Sequence, residues 1–257
     1  MARCKTYLQN AALLTACGLV LRVLGMGFRV VLSAYLGSEG MGLYQLILAV
    51  YMVFVSLATA GINVASARLA AQSLARGRGM AATLHDLCGT ALLFGCMAMM
   101  LQVLLAEPAA RFLLHDTRAI LALQILAPSL PFMAAAGAVR GCFLAARRVH
   151  PNVIAQLIEQ LVRMAIAIAA LRALARWGAG YGCAAVVLGN TISEGVSCAL
   201  MFAFAAKTPE FARRRDEPLQ PYTQKELYAI VLPVEGSRLL ASGLQAVESS
   251  LIPYTLA

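Results

Sequence analysis

Between residues 7 and 206 the chain is a succession of long apolar runs, each about as long as a membrane is thick, separated by short polar breaks. No charged residue falls between Gly40 and Ala67. A span of the hydrocarbon core needs about 20 apolar residues. In that solvent the backbone must satisfy its own hydrogen bonds, which an α-helix does within one segment. Hydrophobic residues make up 61% of the 257 residues and charged residues 13%. Soluble domains run closer to about half apolar and about a quarter charged. The composition therefore excludes a disordered chain, a nucleic-acid-binding domain and a disulfide-stapled secreted fold. It predicts an all-α, polytopic transmembrane helix bundle.

The punctuation of the runs predicts six helices over about 7–36, 43–70, 84–106, 118–146, 152–175 and 178–206, forming an N-terminal lobe over 1–206. The first run is too long for a cleaved signal peptide and is interrupted by Arg22 and Arg29. A glycine-rich turn, Gly37 to Gly42, follows it. The third run is expected to end at Glu107-Pro108. The fourth carries Pro128 and Pro131, which membrane helices tolerate when neighbours satisfy the freed carbonyls. A polar, basic loop is expected over 207–226, and a seventh helix over 227–257, with the chain stopping inside that span.

The net charge of +9 is distributed unevenly. Alternate breaks hold Arg3 and Lys5, then Arg76 and Arg78, then Arg147 and Arg148, then Lys207, Arg213, Arg214, Arg215 and Lys225. The other set holds only Arg111 and Arg118, then Arg172 and Arg176. The richer set is expected on the cytoplasmic face, which places the N-terminus inside a multi-pass cell-membrane protein. The seven cysteines form no CxxC pair and sit mostly in apolar runs, so they read as small hydrophobes rather than a metal site. No paired-acid metal motif, nucleophile with a nearby base or Gly-rich phosphate loop points to an enzyme.

A charge near the bilayer centre costs at least about 2.5–3.5 kcal/mol on insertion scales, so polar stripes carry the functional signal. The first span places Thr15, Gly18, Arg22, Gly25, Arg29 and Ser33 on one helical face. Arg29 can also snorkel to the nearer interface; Arg22 lies deeper. The second span carries Gln45, Met52, Ser56, Thr59, Asn63 and Ser66, a pattern that ordinary helix–helix hydrogen bonding also explains. The fifth carries Gln156, Glu159, Gln160 and Arg163. Glu159 and Arg163 are one turn apart, as a structural ion pair or as the lining of a cavity. Glu194 interrupts the sixth span, and the seventh carries Glu235, Arg238, Ser242, Gln245 and Ser249, with Glu248 beside them. Together the stripes predict a shared aqueous cavity, which a channel, a transporter or an intramembrane enzyme could own. The arginines in the spans would prefer an anion, above all a phosphate or pyrophosphate. The acids Glu159, Glu194 and Glu248 keep cation or proton coupling open.

At these residues the chain resembles a known family. The motifs are Arg22-Val-Leu-Gly25-Met-Gly-Phe-Arg29, Leu36-Gly-Ser-Glu-Gly40-Met-Gly-Leu-Tyr44-Gln-Leu, and Ala60-Gly-Ile-Asn63-Val-Ala-Ser-Ala-Arg68-Leu. Further along stand Arg140-Gly-Cys-Phe, Gln156-Leu-Ile-Glu159-Gln-Leu-Val-Arg163 and Ser237-Arg238 through Gln245 to Glu248. The likeness is to the stage V sporulation protein B branch of the polysaccharide and lipid-linked oligosaccharide exporters, within the multidrug/oligosaccharidyl-lipid/polysaccharide exporter superfamily, and it is similar to lipid II flippases. The resemblance implies a transporter of about fourteen helices in two lobes of six plus C-terminal helices, enclosing a central cavity that opens alternately to either side. It implies that cavity arginines hold a substrate diphosphate, with Arg22, Arg29 and Arg238 as candidates and Arg163 more weakly, since Glu159 can neutralise it. Asn63, Glu159 and Gln245 complete the expected substrate-binding set. The chain would hold the first lobe and the start of the second, a fragment or a truncated product. The partners would be an isoprenoid-diphosphate-linked sugar, such as a peptidoglycan or spore-cortex precursor, and the lipid bilayer. No cofactor is expected, although H+ or Na+ could couple transport. Two alternatives stay open: a cation-coupled multidrug exporter of the same superfamily, and a non-transporting scaffold that engages cell-wall synthesis proteins.

Overall fold

A computed structural model describes residues 2–75, 80–174 and 178–211, together with positions 233, 236 and 237. The described residues are helical and contain no strand. The helices are α1 (Ala2–Ala75), α2 (Met80–Pro108), α3 (Ala119–Leu126), α4 (Ser129–Ala145), α5 (His150–Leu174) and α6 (Ala179–Lys207). Of the expected basic loop over 207–226, only residues 207–211 are described, and most of the expected helix over 227–257 lies outside the described residues.

The apolar part of α1, Ala11–Ala75, is 65 residues long. A straight helix of that length would reach roughly 100 Å, against a hydrocarbon core of about 30 Å. It bends instead at Gly37, whose φ of 69° is left-handed and suits a residue without a Cβ. The expected turn over 37–42 thus narrows to one residue, because Ser38 onward already takes helical geometry. Residues from both arms pack together near this elbow: Phe28 and Leu32 share a cluster with Met41 and Tyr44. Five apolar runs, one folded in two, give six membrane crossings among the described residues and make this a multi-pass membrane protein.

The α-helix of the third run ends at Pro108, as expected, but the chain does not leave helical geometry there. Pro108 lacks an N–H, but its φ of −56° is helical, so the chain continues into a π turn over Ala109–Leu113. Arg111 closes that turn on Glu107 at 2.6 Å. The fourth crossing breaks between α3 and α4 at Ala127 and Pro128. Neighbouring side chains bond to carbonyls beside the break: Thr191 Oγ1 donates to Ile125 O at 2.7 Å, and Gln102 Nε2 donates to Leu123 O at 2.7 Å, an oxygen that also accepts from Ala127 N.

Three apolar clusters hold the bundle, and α6 contributes to all of them. Helices pack closely in lipid where side chains are small. A Cβ on Gly137 would lie 2.5 Å from Asn63 Oδ1, and one on Gly141 would lie 2.6 Å from Ser66 Cβ, so α4 sits directly against the second arm of α1. Opposite this core, α2 presents Leu93, Met97, Met100 and Leu104 outward, as a lipid-facing helix does.

At the elbow, Arg118 reaches Glu39 at 2.8 Å and Asp116 at 3.0 Å. The hydrogen bond from Arg118 holds the Asp116 carboxyl below its usual value. These contacts tie the elbow to the α2–α3 connection.

Candidate functional site

Among the described residues, two cavities of the bundle flank an ion-pair cluster. The first, about 600 Å³, is lined by both arms of α1 together with α4, α5 and α6. Arg29, Gln45, Gln160, Arg163, Asn190 and Glu194 are its polar lining. The second, about 540 Å³, is lined by the second arm of α1, α4, α5 and α6, with Thr59, Asn63, Arg140, Asn152, Gln156 and Glu159. Met133 and Glu194 border both.

The cluster is built from three helices. Glu159 on α5 accepts from Arg140 of α4 and from Arg163, one turn on along α5, at 2.7 Å each. Arg140 also donates to Ser197 Oγ at 2.6 Å. Arg163 makes longer contacts with Ser193 Oγ at 3.4 Å and with Glu194 at 3.5 Å. Glu194 is buried, and its Oε2 has no hydrogen-bond partner. Two guanidinium groups therefore offset two carboxylates, but unequally: Glu159 takes both short bonds and Glu194 is left with one long one.

The polar stripes sort onto these cavities. On the second arm of α1, Gln45 and Met52 line the first cavity, Thr59 and Asn63 the second. Ser66 is buried against Gly141. On the first arm, Gly25 and Arg29 line the first cavity. Arg22 and Arg29 are both exposed on that arm, and Arg22 borders neither cavity. On α5, Gln156 and Glu159 face the second cavity, Gln160 and Arg163 the first. The structure thus brings Arg29 and Arg163 to one cleft and Asn63 and Glu159 to the other. Arg238 and Gln245 lie outside the described residues, as does Glu248.

Arg140 is absent from the sequence-derived set. It lies seven and eight positions before Arg147 and Arg148 and reads as one more base near the end of a span. The signal that could have found it is its place between Gly137 and Gly141, where small residues bring α4 against a neighbour and leave a long side chain one inward route. Among the described residues no group of three His, Cys, Asp or Glu is arranged to hold a metal.

Chemically, the first cavity offers Arg29, with no ion-pair partner among the described residues, beside an Arg163 whose charge is shared with two acids. Such a site suits an anion reached from a polar cleft. The second offers hydroxyl and amide groups around an already paired Arg140 and Glu159.

Comparison with known proteins gives a consistent lineage. Over its length the chain is 27% identical to stage V sporulation protein B of Bacillus subtilis (strain 168), an alignment of 262 positions that takes in 98% of this chain and 50% of that protein. The fold is similar to a multidrug resistance MATE family transporter of the MOP superfamily in an outward-facing conformation, with a TM-score of 0.68 at 15% identity over 90% of this chain and 52% of that one. It is also similar to a MATE crystallised in complex with Br-NRF, with a TM-score of 0.59 at 15% identity over 94% of this chain and 59% of that one. The chain thus spans about half the length of the relatives it matches. The family model for polysaccharide biosynthesis proteins matches residues 7–250, and the chain belongs to that family.

Proposed function

We propose that this chain supplies one lobe of a membrane exporter, not an enzyme, that carries an isoprenoid-diphosphate-linked oligosaccharide across the cell membrane by alternating access. The observation that carries this reading is the placement of an exposed Arg29 and a part-buried Arg163 on one polar cleft of the helical bundle. A guanidinium is permanently charged and offers a planar fork of donors that matches phosphate oxygens. The diphosphate would sit at Arg29, with Arg163 as a partly neutralised second donor. The isoprenoid tail would remain in lipid, and rocking of this lobe against a second one would expose the headgroup on the far side. Similarity to a protein named for stage V of sporulation favours a peptidoglycan or spore-cortex precursor as cargo.

The test is flipping of a diphosphate-linked oligosaccharide lipid by the reconstituted full-length protein. A charge-assisted hydrogen bond is worth about 1.5–3 kcal/mol, so Arg29→Ala should weaken binding about 10- to 100-fold. Arg22→Ala, away from the cleft, should cost less. Full flipping by Arg29→Ala and Arg163→Ala together would remove the diphosphate role.

A second reading has one observation in its favour. Glu194 borders both cavities with an unpartnered Oε2, as a group that takes up a coupling proton or Na+ could. Cation-dependent efflux of cationic dyes, lost in Glu194→Gln, would favour a multidrug exporter instead.

A further inference from the structure

Arg140 does not line the first cavity, yet it shares a carboxylate with an arginine that does. Glu159 divides its two oxygens between them: Oε1 accepts from Arg163 Nη2 and Oε2 from Arg140 Nη2, each at 2.7 Å. Arg163 lines the first cavity, whereas Arg140 and Glu159 line the second. One carboxylate thus stands between a base that a ligand in the first cavity can reach and a base that it cannot.

The balance of charge shows what Arg140 contributes. Among the described residues Arg163 has two acids within ion-pair range, Glu159 on its own helix at 2.7 Å and Glu194 of α6 at 3.5 Å. Those three groups alone set one base against two acids, and the guanidinium would be held by them rather than offered to an anion. Arg140 makes the count two against two. Neighbours hold both bases in place. Ser197 Oγ accepts from Arg140 at 2.6 Å, and Asn152 Nδ2 donates to the Arg140 carbonyl at 3.3 Å. Ser193 Oγ accepts from Arg163 Nε at 3.4 Å. The α5–α6 seam runs past Arg163 itself, where a Cβ on Gly189 would lie 3.0 Å from Arg163 O. All three side chains of the bridge are largely withdrawn from solvent, and charges so placed are screened less than exposed ones.

We infer that Arg140 is a positioning residue for anion binding in the first cavity: by taking a share of the Glu159 carboxylate, it lets Arg163 present positive charge to a phosphate held at Arg29. It acts through Glu159 and does not meet the ligand. The inference rests on the diphosphate reading of the first cavity and adds to it a role for a base that lies outside that cavity. It also fixes an order of affinities, because losing an acid and losing a base shift the same balance in opposite directions. Glu159→Gln leaves two bases against one acid. Arg140→Gln leaves one base against two acids. The double variant leaves one against one, the balance of the wild type.

The experiment is a double-mutant cycle on the full-length protein in nanodiscs, with farnesyl diphosphate as the probe and farnesol as its uncharged control. Arg140→Gln should weaken binding of the diphosphate about tenfold, the effect of a unit charge over roughly a dozen ångströms at an effective dielectric of about 20. Glu159→Gln should tighten it by about the same factor. The double variant should return to within about threefold of the wild type. A merely structural role gives a different pattern, in which both single variants lose affinity and the double variant loses at least as much; that pattern overturns the inference. Equal changes with farnesol overturn it too. Should Glu159→Gln not fold, Arg140→Lys takes its place, since Arg140 uses Nη2 alone in its two side-chain bonds and a lysine keeps one charged donor. Arg140→Lys should bind as the wild type does, and a loss equal to that of Arg140→Gln overturns the inference. Failure of the wild type to bind the diphosphate removes the diphosphate reading and this inference with it. Wild-type binding that Arg140→Gln leaves unchanged removes the inference alone.

Discussion

At the scale of single residues the ion-pair cluster separates two acids that look alike in sequence. Glu159 takes 2.7 Å bonds from two arginines, whereas the one arginine within ion-pair range of Glu194 is Arg163, at 3.5 Å. Removing one partner of a buried pair strands the other charge, at about 3–5 kcal/mol. Glu159→Gln should therefore lower the thermal unfolding temperature in detergent sharply, because Arg140 loses its counter-charge and Arg163 keeps only the 3.5 Å contact with Glu194. Glu194→Gln gives up little that is bonded and should cost under about 1 kcal/mol. Equal losses in the two variants would contradict this asymmetry. The pairing of Glu159 with Arg163 is legible in sequence, since the residues are four apart on a helix. The claim of Arg140 on the same carboxylate is not, because helical spacing shows which residues share a face but not which face meets which neighbour.

At the scale of elements, the polar stripe of the second arm of α1 was readable as a stripe but not as two sites. One row of residues from Gln45 to Asn63 passes from the first cavity to the second, since a stripe of that length outruns either one. The breaks between elements follow local chemistry that periodicity does not report. Gly37 alone makes the elbow, and Pro108 ends its α-helix only to open a π turn. The seam between α4 and the second arm of α1 depends on two missing side chains. Gly141→Ala would place a Cβ 2.6 Å from Ser66 Cβ and 3.1 Å from the backbone of Asn63 and Ala67. Overpacking of this kind costs about 1–3 kcal/mol. Gly18→Ala on the first arm meets nothing within 4 Å and should be neutral or slightly stabilising. Thermal unfolding of the two variants side by side checks the seam, and an unchanged Gly141→Ala would mean that the helices stand further apart.

At the scale of the whole molecule, contacts between chain-distant segments define two ends of the bundle. At one end the elbow is tied to the α2–α3 connection through Glu39 and Arg118. The start of α6 joins them, since a Cβ on Gly180 would lie 3.0 Å from Arg118 Cβ. At the other end, Phe143 of α4 stacks at 4.8 Å on Phe211 beyond α6, and Met80 lies in the same cluster. The breaks at this second end carry Arg76, Arg78, Arg147, Arg148 and Lys207, and the N-terminal Arg3 and Lys5 belong to the same alternate set. Bases near span ends favour the cytoplasm, so this end should face inward. Thr117 and His150 are exposed at opposite ends. In a background without native cysteines, Thr117→Cys should react with a membrane-impermeant maleimide on intact cells, and His150→Cys only after permeabilisation. The reverse pattern would invert the topology. It would also invert which cavity lies nearer the cytoplasm, because Asn152 and Arg140 lie toward the α4–α5 turn while Arg29 lies toward the elbow. With the N-terminus inside, the amide-lined cavity would lie nearer the cytoplasm and the Arg29 cleft further outward, so labelling that places His150 inside also orders the two cavities along the membrane normal.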